Sequence, residues 1–219
     1  MLATIGGGSG GGMSRAVTRW WWVRHAPVVD HGGKIYGMND VPADTSNRIA
    51  FERLAQRLPS PAVLVTSHLS RALQTAHAIR SAGLDLPDPQ VEPDLAEQNF
   101  GHWQGRTWDD IVAKEKGAGE HKFWTAPADH APPGGESFVA VVARVERVIG
   151  RLTDLHRGRD IVVVAHGGTI RAALANALGL DPDVALGFAT ENLSTTRIDH
   201  VDGPGAGGNW RVAFVNERP

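Results

Sequence analysis

Residues 160–171 read DIVVVAHGGTIR, and this stretch decides the predicted fold. Asp160–Ala165 is a short, continuous apolar run, which is typical of a parallel strand that is covered on both faces. His166 and two glycines follow, and a helical period then runs over Thr169–Leu178 until Gly179 ends it. The pattern predicts a strand, a tight turn and a helix, which together are the repeating unit of an α/β protein.

Similar units occur elsewhere in the chain. The apolar runs that predict further strands are Thr18–Val23, Ala62–Thr66, Gln90–Pro93 and Asn209–Val215. Apolar residues recur at helical spacing in Ile49–Leu58, Leu69–Arg80 and Glu136–Leu155. Strands that alternate with helices in this order require right-handed crossovers. The sequence therefore predicts an α/β protein, a three-layer α/β/α sandwich with a mostly parallel central sheet and a last strand at its edge.

Composition narrows the class of protein. The chain has 219 residues, with 22 lysines and arginines against 24 acidic residues and a formal net charge of −2. This balance gives no electrostatic footprint for nucleic acid or an anionic membrane. The chain has no cysteine, which excludes disulfides, thiolate metal sites and cysteine nucleophiles. It also has no apolar run of about 18 residues, so we expect a soluble, cytoplasmic protein without nucleic-acid or membrane partners.

Two glycine-rich stretches bear on domain organisation. Residues 6–12 read GGGSGGG directly before Met13, so residues 1–12 are expected to be a tag or linker. Gly117–Gly135 is rich in glycine, proline and histidine and is long for a connection, which is typical of a functional lid or insertion. We therefore expect residues 13–219 to form a single domain.

Residues that carry chemistry follow the predicted strands. Arg24 and His25 follow the first strand, Arg71 lies just beyond the second, and His166 and Gly167 follow the late strand. Ligands of an open α/β sheet bind beyond the carboxyl ends of its strands, so we expect these residues to converge. Arginine side chains and a helix N-terminus suit a phosphoryl group, and a neutral imidazole can attack phosphorus. No metal or other cofactor is then required.

Such a reaction also needs an acid for the departing oxygen. Glu97, in a turn region after the candidate strand Gln90–Pro93, is the best-placed carboxylate by sequence. Glu136, at the N-terminus of the long helix, is the second candidate, although a carboxylate there also stabilises the helix dipole. No pair of histidines has the spacing of a zinc site, so no metal site is predicted.

Five motifs occur together and in a fixed order. They are VRHA at 23–26, SHLSRALQTA at 67–76, LAE at 95–97 with GHWQG at 101–105, GGES at 134–137 and AHGGTIR at 165–171. From Trp20 to Arg171 the chain resembles the histidine phosphatase superfamily, the phosphoglycerate-mutase-like group. The compact segment 100–105 is more similar to its small phosphatase branch, which includes α-ribazole phosphatases and broad-specificity phosphatases, than to the mutases.

The resemblance implies a phosphoglycerate-mutase-like fold and a role for each residue of the site. It implies that His25 is the phosphorylated nucleophile and that Glu97 is the proton donor. It also implies a phosphate pocket made of Arg24, Arg71, His166 and Gly167. In this pocket His166 would be a second catalytic histidine, and Gly167 would supply a backbone N–H. The family usually has glycine after the nucleophilic histidine, whereas this chain has Ala26, whose methyl group restricts the turn.

The predicted activity is the metal-independent hydrolysis of a small phosphorylated metabolite through a phosphohistidine. This makes the chain a phosphoric monoester hydrolase, a phosphatase of the histidine acid type. Two alternatives stay open at this point. A phosphomutase of the same fold would return the phosphoryl group to its substrate, and a non-catalytic module would only bind phosphorylated ligands.

Further residues are candidates for substrate recognition. Asn39, Glu136 and Trp103 are candidate substrate contacts, although an aromatic residue in a glycine-bounded turn is more often a packing residue. Asp30–Asp40 and Gly117–Gly135 are candidate specificity loops. Arg171 is expected either to support the site from behind or to form an ion pair near it. The predicted edge strand could pair across a two-fold axis, so a homodimer is also expected.

Overall fold

The computed structural model describes residues 15–29, 32–114, 127–203 and 209–219. The predicted tag or linker, residues 1–12, lies outside the described residues. The same is true of residues 30–31 and 117–126, which belong to the two candidate specificity loops. No helix in the described ranges has both the length and the apolar character that crossing a bilayer requires.

The centre of the molecule is one mixed sheet of six strands. In chain order the strands are β1 Val17–Arg24, β2 Val63–Thr66, β3 Gln90–Val91, β4 Asp160–Ala165, β5 Thr195–Val201 and β6 Trp210–Glu217. Their order across the sheet is β3-β2-β4-β1-β5-β6. The first four strands in this order, β3, β2, β4 and β1, run parallel to one another. Strand β5 is antiparallel to both of its neighbours, β1 and β6. The predicted mostly parallel sheet is confirmed.

Within the described ranges, six α-helices accompany the sheet. They are α1 Arg48–Arg57, α2 Ser70–Ser81, α3 Trp108–Lys114, α4 Phe138–Leu155, α5 Gly167–Leu178 and α6 Pro182–Ala185. The four helices predicted from apolar spacing, α1, α2, α4 and α5, all form, with bounds one or two residues from the expected ones. Two short 3₁₀ turns, Pro93–Leu95 and Gly101–Trp103, lie between β3 and α3.

Two buried clusters cover the two faces of the sheet. On one face, strand residues such as Trp20, Trp22 and Val163 pack with residues of α4 and α5. On the other face, Val162 and Val164 pack with residues of α1 and α2. Because successive residues of a strand point to opposite faces, a continuous apolar run is needed to supply both clusters. The predicted three-layer sandwich is therefore confirmed, and its apolar strands are buried on both sides.

The structure contains three elements that the sequence did not predict. Helices α3 and α6 are short, and strand β5 reads TTRIDHV, which lacks the apolar pattern of a buried strand. Asp199 of β5 is nevertheless fully buried, because Arg197 and Arg211 pair with its carboxylate at 2.9 and 2.7 Å. One partner lies on β5 itself and the other on β6, so the pairing that buries Asp199 depends on a second strand. The local sequence of β5 therefore does not predict it.

The last strand, β6, lies at one edge of the sheet as expected. Its pairing with a second copy stays a prediction.

The topology places the site at the carboxyl ends of three parallel strands. Strand β4 lies between β1 and β2, and all three are parallel. Near their carboxyl ends, Arg24 lies beside Ala165 and Thr66 lies beside Val164. The residues that follow these three strands therefore meet at one edge of the sheet.

Candidate active site

The two histidines that follow β1 and β4 lie side by side. His25 and His166 are both fully buried, and their ring centroids are 5.1 Å apart. The backbone N–H of His25 donates to the carbonyl of Ala165 at 2.9 Å, which continues the β1–β4 ladder and fixes the two chain ends together. The predicted meeting of residues from the front and the back of the chain is confirmed.

The hydrogen bonds of His25 define its tautomer. Its Nδ1 lies 2.6 Å from the carbonyl oxygen of Ala26, and a carbonyl can only accept, so Nδ1 carries the proton. Within the described residues Nε2 has no hydrogen-bond partner. Burial, and then the charges of Arg24 and Arg71, hold the pKa of His25 well below its ordinary value. His25 is thus a neutral imidazole with an unshared electron pair on Nε2.

His166 is held by the turn between β4 and α5. It is the N-cap residue of α5, and its Nε2 lies 2.7 Å from the hydroxyl of Ser67. Ser67 Oγ also accepts from the N–H of Leu69 at 3.3 Å, which leaves its proton free to bond to His166 Nε2. That arrangement would leave a proton on Nδ1 of His166. Burial, followed by the proximity of His25, holds the pKa of His166 well below its ordinary value.

Two arginines flank the histidines. Arg24 donates from Nη1 to the carbonyl of Thr190 at 2.6 Å. Arg71 is fully buried and donates to the carbonyls of Gly37 and Asn39 at 2.5 and 2.9 Å. Across the described ranges, the Nε atoms of both guanidinium groups lack a hydrogen-bond partner. Each arginine is therefore anchored by part of its guanidinium group and retains a donor for an anion.

The start of α5 depends on two glycines. A Cβ on Gly167 would lie 3.1 Å from Thr190 Oγ1 and 3.2 Å from Arg171 Nη1. A Cβ on Gly168 would lie only 2.4 Å from Oε1 of Glu97. The N–H of Gly168 donates to that same oxygen at 3.0 Å, as does the N–H of Gln98. Both glycines therefore admit polar groups that a larger residue would displace.

An ion pair holds the segment that carries Glu97. Arg144 on α4 bonds both carboxylate oxygens of Glu136, at 3.1 and 2.9 Å, and donates to the carbonyls of Asp94 and Glu97 at 2.5 and 3.2 Å. Glu136 in turn accepts from the N–H of Asn99 at 2.9 Å. The side chains of Arg144 and Glu136 are 11% and 22% exposed, so the pair is largely screened from water. Residues 94–99 are thus tied to α4 on both sides of Glu97.

A cavity of about 430 Å³ opens at this edge of the sheet. One part of its lining, the cationic end, consists of Arg24, Gly167, Gly168 and Arg171. Another part, the apolar wall, consists of Ile35, Phe100, Trp108, Phe138 and Leu186. Glu97 and Tyr36 also line the cavity, and the Tyr36 ring lies 6.2 Å from that of His25. The two histidines and Arg71 are fully buried next to this lining rather than part of it.

The three candidate substrate contacts do not line the cavity. Asn39 is exposed and lies against a neighbouring pocket, where its carbonyl oxygen holds Arg71. Glu136 is engaged with Arg144 and Asn99, as described above. Trp103 is 4% exposed and packs against Trp108 and His130. These positions support the packing alternative for Trp103 and a structural role for Glu136, and direct substrate contacts by the three residues stay a prediction.

Ala26 and Arg171 are both held by hydrogen bonds close to the site. Ala26 is fully buried, does not adopt a positive φ, and donates its N–H to Thr75 Oγ1 at 2.9 Å, so the turn after His25 accepts its methyl group. Arg171 lines the cavity and donates to the carbonyl of Phe188 at 2.8 Å. Arg171 is thus held beside the cationic end by a backbone contact, and its charge interacts favourably with that of Glu97 in the same lining.

Several residues of the site carry no motif signal of their own. Asn192 donates to the carbonyl of His25 at 2.8 Å, and the buried hydroxyl of Thr190 lies beside Gly167. Both lie in the connection between α6 and β5, outside the segments that follow β1, β2 and β4. Arg144 lies on the polar side of the predicted helix, where an arginine is ordinarily a solvated residue. Only the contacts of the folded chain reveal these three residues.

Comparison with known proteins agrees with this geometry. A profile of the histidine phosphatase superfamily (branch 1) matches residues 20–216. The chain is 33% identical over 220 residues to the glucosyl-3-phosphoglycerate phosphatase of Mycolicibacterium vanbaalenii, with 91% of this chain and 95% of the relative covered. It is 32% identical over 138 residues to the adenosylcobalamin/alpha-ribazole phosphatase of Escherichia coli, a match that covers 63% of this chain.

The match to the Escherichia coli protein spans 66% of that protein's length, just under two thirds. Among solved structures, the native structure of a mycobacterial glucosyl-3-phosphoglycerate phosphatase superposes with a TM-score of 0.77 at 29% identity. That superposition covers 92% of this chain and 99% of the other. The similarity therefore extends over nearly the whole fold and includes both strand ends of the site.

Proposed function

Because the chain belongs to the histidine phosphatase superfamily (branch 1), we propose that it hydrolyses phosphomonoesters through a phosphohistidine formed on His25. The observation that carries this proposal is the state of His25. Its imidazole is neutral, its Nδ1 proton is held by Ala26, and its Nε2 electron pair has no partner within the described residues. A nucleophile of this kind needs no separate base to activate it.

In the first step, Nε2 of His25 attacks phosphorus and a N–P bond forms. The ester P–O bond breaks, and the departing oxygen takes a proton from the carboxyl of Glu97. In the second step, water attacks phosphorus while Glu97 takes up a proton, the N–P bond breaks, and inorganic phosphate leaves. Because His25 is fully buried, attack requires a local side-chain movement that opens Nε2 to the cavity.

The remaining residues of the site would stabilise charge. The phosphoryl oxygens gain negative charge as the ester bond breaks, and donors that are already oriented lower the energy of that state. Arg24 and Arg71 each retain a donor, and the start of α5 provides the N–H of Gly167. His166, with Ser67 on its Nε2, would direct its Nδ1 proton to the same group.

The substrate in this proposal is a small phosphorylated metabolite. The relatives support this class, since their names describe phosphatases of glucosyl-3-phosphoglycerate and of alpha-ribazole. Another relative is a metal-independent phosphoserine phosphatase of Arabidopsis thaliana. The histidine nucleophile is the basis on which we also propose the histidine acid type of phosphatase. From the sequence we further propose that residues 13–219 act as one catalytic domain in the cytoplasm.

The direct test is turnover of 4-nitrophenyl phosphate with a chelator present. The wild-type enzyme should release phosphate at an unchanged rate in the chelator, whereas His25→Ala should lose turnover. His77→Ala changes an exposed histidine of α2 outside the site and is the matched control. Retained activity in His25→Ala would refute the proposal. Product analysis with phosphorylated acids separates hydrolysis from transfer to a second substrate, and phosphate binding without any turnover would indicate the non-catalytic alternative.

A further inference from the structure

The cavity suggests which phosphomonoesters the site accepts. We infer that the favoured ester carries an uncharged ring as its leaving group rather than a second anionic group. This inference rests on the proposed function, because it concerns the part of the ester that leaves. It depends on a feature that the chemistry at His25 does not use, namely the apolar wall of the cavity.

The cavity is larger than a phosphoryl group requires. Its volume of about 430 Å³ lies in the range of pockets that enclose a whole small ligand. The cationic end is compact, since a Cβ placed on Gly167 would lie 3.2 Å from Arg171 and 3.7 Å from Arg24. With the phosphoryl group bound there, the leaving group of the ester would have to occupy the rest of the cavity, beside the apolar wall.

The apolar wall is a continuous and well-supported surface. Ile35 and Trp108 pack on the buried cluster that Phe100 forms with Trp103 and Ile111. The Trp108 ring meets that of Trp103 edge to face, with centroids 5.8 Å apart. A wall that is backed by buried side chains keeps its shape without a ligand, so little ordering is needed when a ring packs against it.

The other two residues of the wall are equally fixed. Phe138 and Leu186 are 3% and 7% exposed and belong to the main core of the molecule. Together with Phe100 they also line a second, small pocket, which shows that the two groups of wall residues are neighbours. The wall therefore joins the main core on one side and the small Trp103 cluster on the other.

The charges around the wall do not favour a second anion. Apart from the cationic end, the described lining holds one cationic side chain, Lys34, and Asp109 lines the same cavity with the opposite sign. Among the described residues of the lining, only Lys34 could pair with a carboxylate or second phosphate beside the wall, where the anion would otherwise lose water against aromatic and aliphatic groups. An uncharged ring would instead exchange its hydration for contact with the wall.

The test compares alkyl esters, so that the departing oxygen is chemically similar in each. The probes are 2-phenylethyl phosphate, glycerol 3-phosphate and 3-phosphoglycerate. We expect kcat/KM for 2-phenylethyl phosphate to exceed that for 3-phosphoglycerate by about tenfold or more, the discrimination that an apolar pocket typically provides. An equal or greater kcat/KM for 3-phosphoglycerate would overturn the inference.

Two variants test whether the preference for 2-phenylethyl phosphate depends on the apolar wall. Trp108→Ala should remove most of the advantage of 2-phenylethyl phosphate and leave glycerol 3-phosphate nearly unchanged. Trp210→Ala is the control, since Trp210 is a partly buried tryptophan of β6 that does not line the cavity. Ile35→Ala serves the same purpose if Trp108→Ala does not fold. A preference that survives both Trp108→Ala and Ile35→Ala would refute the role of the wall.

The two proposals fail in different ways. If the protein hydrolyses 4-nitrophenyl phosphate in a manner that needs His25 but prefers 3-phosphoglycerate among the alkyl esters, only the inference on substrate class is wrong. If the folded protein hydrolyses none of these esters, the proposed function is wrong and the inference falls with it.

Discussion

The cationic end and the apolar wall line one cavity but are built in different ways. Arg24 is the last residue of β1, the other residues of the cationic end lie in the first turns of α5, and the histidines beside them are fully buried. The apolar wall comes from a loop, a turn, the starts of α3 and α4 and the residue after α6. The regular sheet thus fixes the reacting groups, whereas irregular segments shape the space for the rest of a substrate.

This difference has a functional consequence. Substitutions of the arginines that would contact the phosphoryl group should lower activity toward every phosphomonoester, because each ester presents the same phosphoryl group. Substitutions of the wall, or of the residues that position Glu97, should change activity in a way that depends on the leaving group. The predictions below test this contrast, beginning with the largest expected effect.

Arg71→Lys should lower kcat/KM by about 10²- to 10³-fold for all esters, since lysine cannot reproduce the arrangement of donors that arginine offers a phosphoryl group. Arg71 also bonds the carbonyls of Gly37 and Asn39, and one ammonium group cannot span both and the anion. Steady-state kinetics on alkyl and aryl esters measures the loss. Arg80→Lys changes an arginine of the same helix that pairs with Asp88 at the surface, and it should have no effect on activity. A loss restricted to one class of ester would contradict the proposed difference between the phosphoryl-binding residues and the apolar wall.

Arg144→Ala should lower kcat by about tenfold or more for alkyl esters and by much less for 4-nitrophenyl phosphate, whose leaving group needs little protonation. The reason is that Arg144 and Glu136 hold the segment that carries Glu97. Arg151→Ala breaks another ion pair of α4, with Glu92 at 2.7 Å, and is the matched control for lost stability. An equal fall for both kinds of ester would show that the pair has only a structural role.

Gly168→Ala should lower activity toward alkyl esters by up to about tenfold, because the added methyl group would displace the Glu97 carboxylate from its contact with residue 168. The wall and the phosphoryl contacts should be unaffected, so KM should change little. Gly150→Ala is the comparison, since a Cβ at Gly150 of α4 meets nothing within 4 Å. That variant should keep full activity and gain a little stability from its higher helix propensity.

The buried histidines predict how stability depends on pH. Their pKa values are lowered in the folded protein, so the unfolded chain binds protons that the folded chain does not once the pH falls below about 6.5. Stability should therefore decrease as the pH falls through this region, by up to about 1.4 kcal/mol per pH unit for each histidine. Denaturant unfolding at several pH values measures the slope. His166→Gln should make it shallower, and an unchanged slope would contradict the assignment of a buried, neutral imidazole.

The sequence predicted the sheet and the cationic end better than the apolar wall. Asp160–Ala165 and Thr18–Val23 are runs with little polar alternation, which is typical of strands between two layers. The meeting of His25 and His166 then followed from the topology. The wall depends on contacts between distant segments, such as Ile35 with the Trp103 cluster, which leave no local pattern. For the same reason the sequence left Trp103 open between a substrate contact and a packing residue, whereas in the structure it supports the wall from behind.

Strand β5 and Arg144 show a second limit of prediction. A buried Asp199 and a partly buried Arg144 both read as surface residues in the sequence, because an isolated charge is ordinarily exposed. Their partners, Arg211 in the first case and Glu136 in the second, lie on other elements. Charge pairing across the fold is therefore the information that local patterns lacked at both places.

The most direct test of the central claim is the identification of the covalent intermediate. The enzyme is mixed with excess 4-nitrophenyl phosphate, quenched in alkali, where phosphohistidine survives, and digested for mass spectrometry. We predict a phosphoryl group on His25 that is lost on mild acid treatment and is absent from His25→Ala. A phosphoryl group found on His166 or Ser67 instead, or full turnover with no phosphorylated histidine in the wild-type enzyme, would contradict the account.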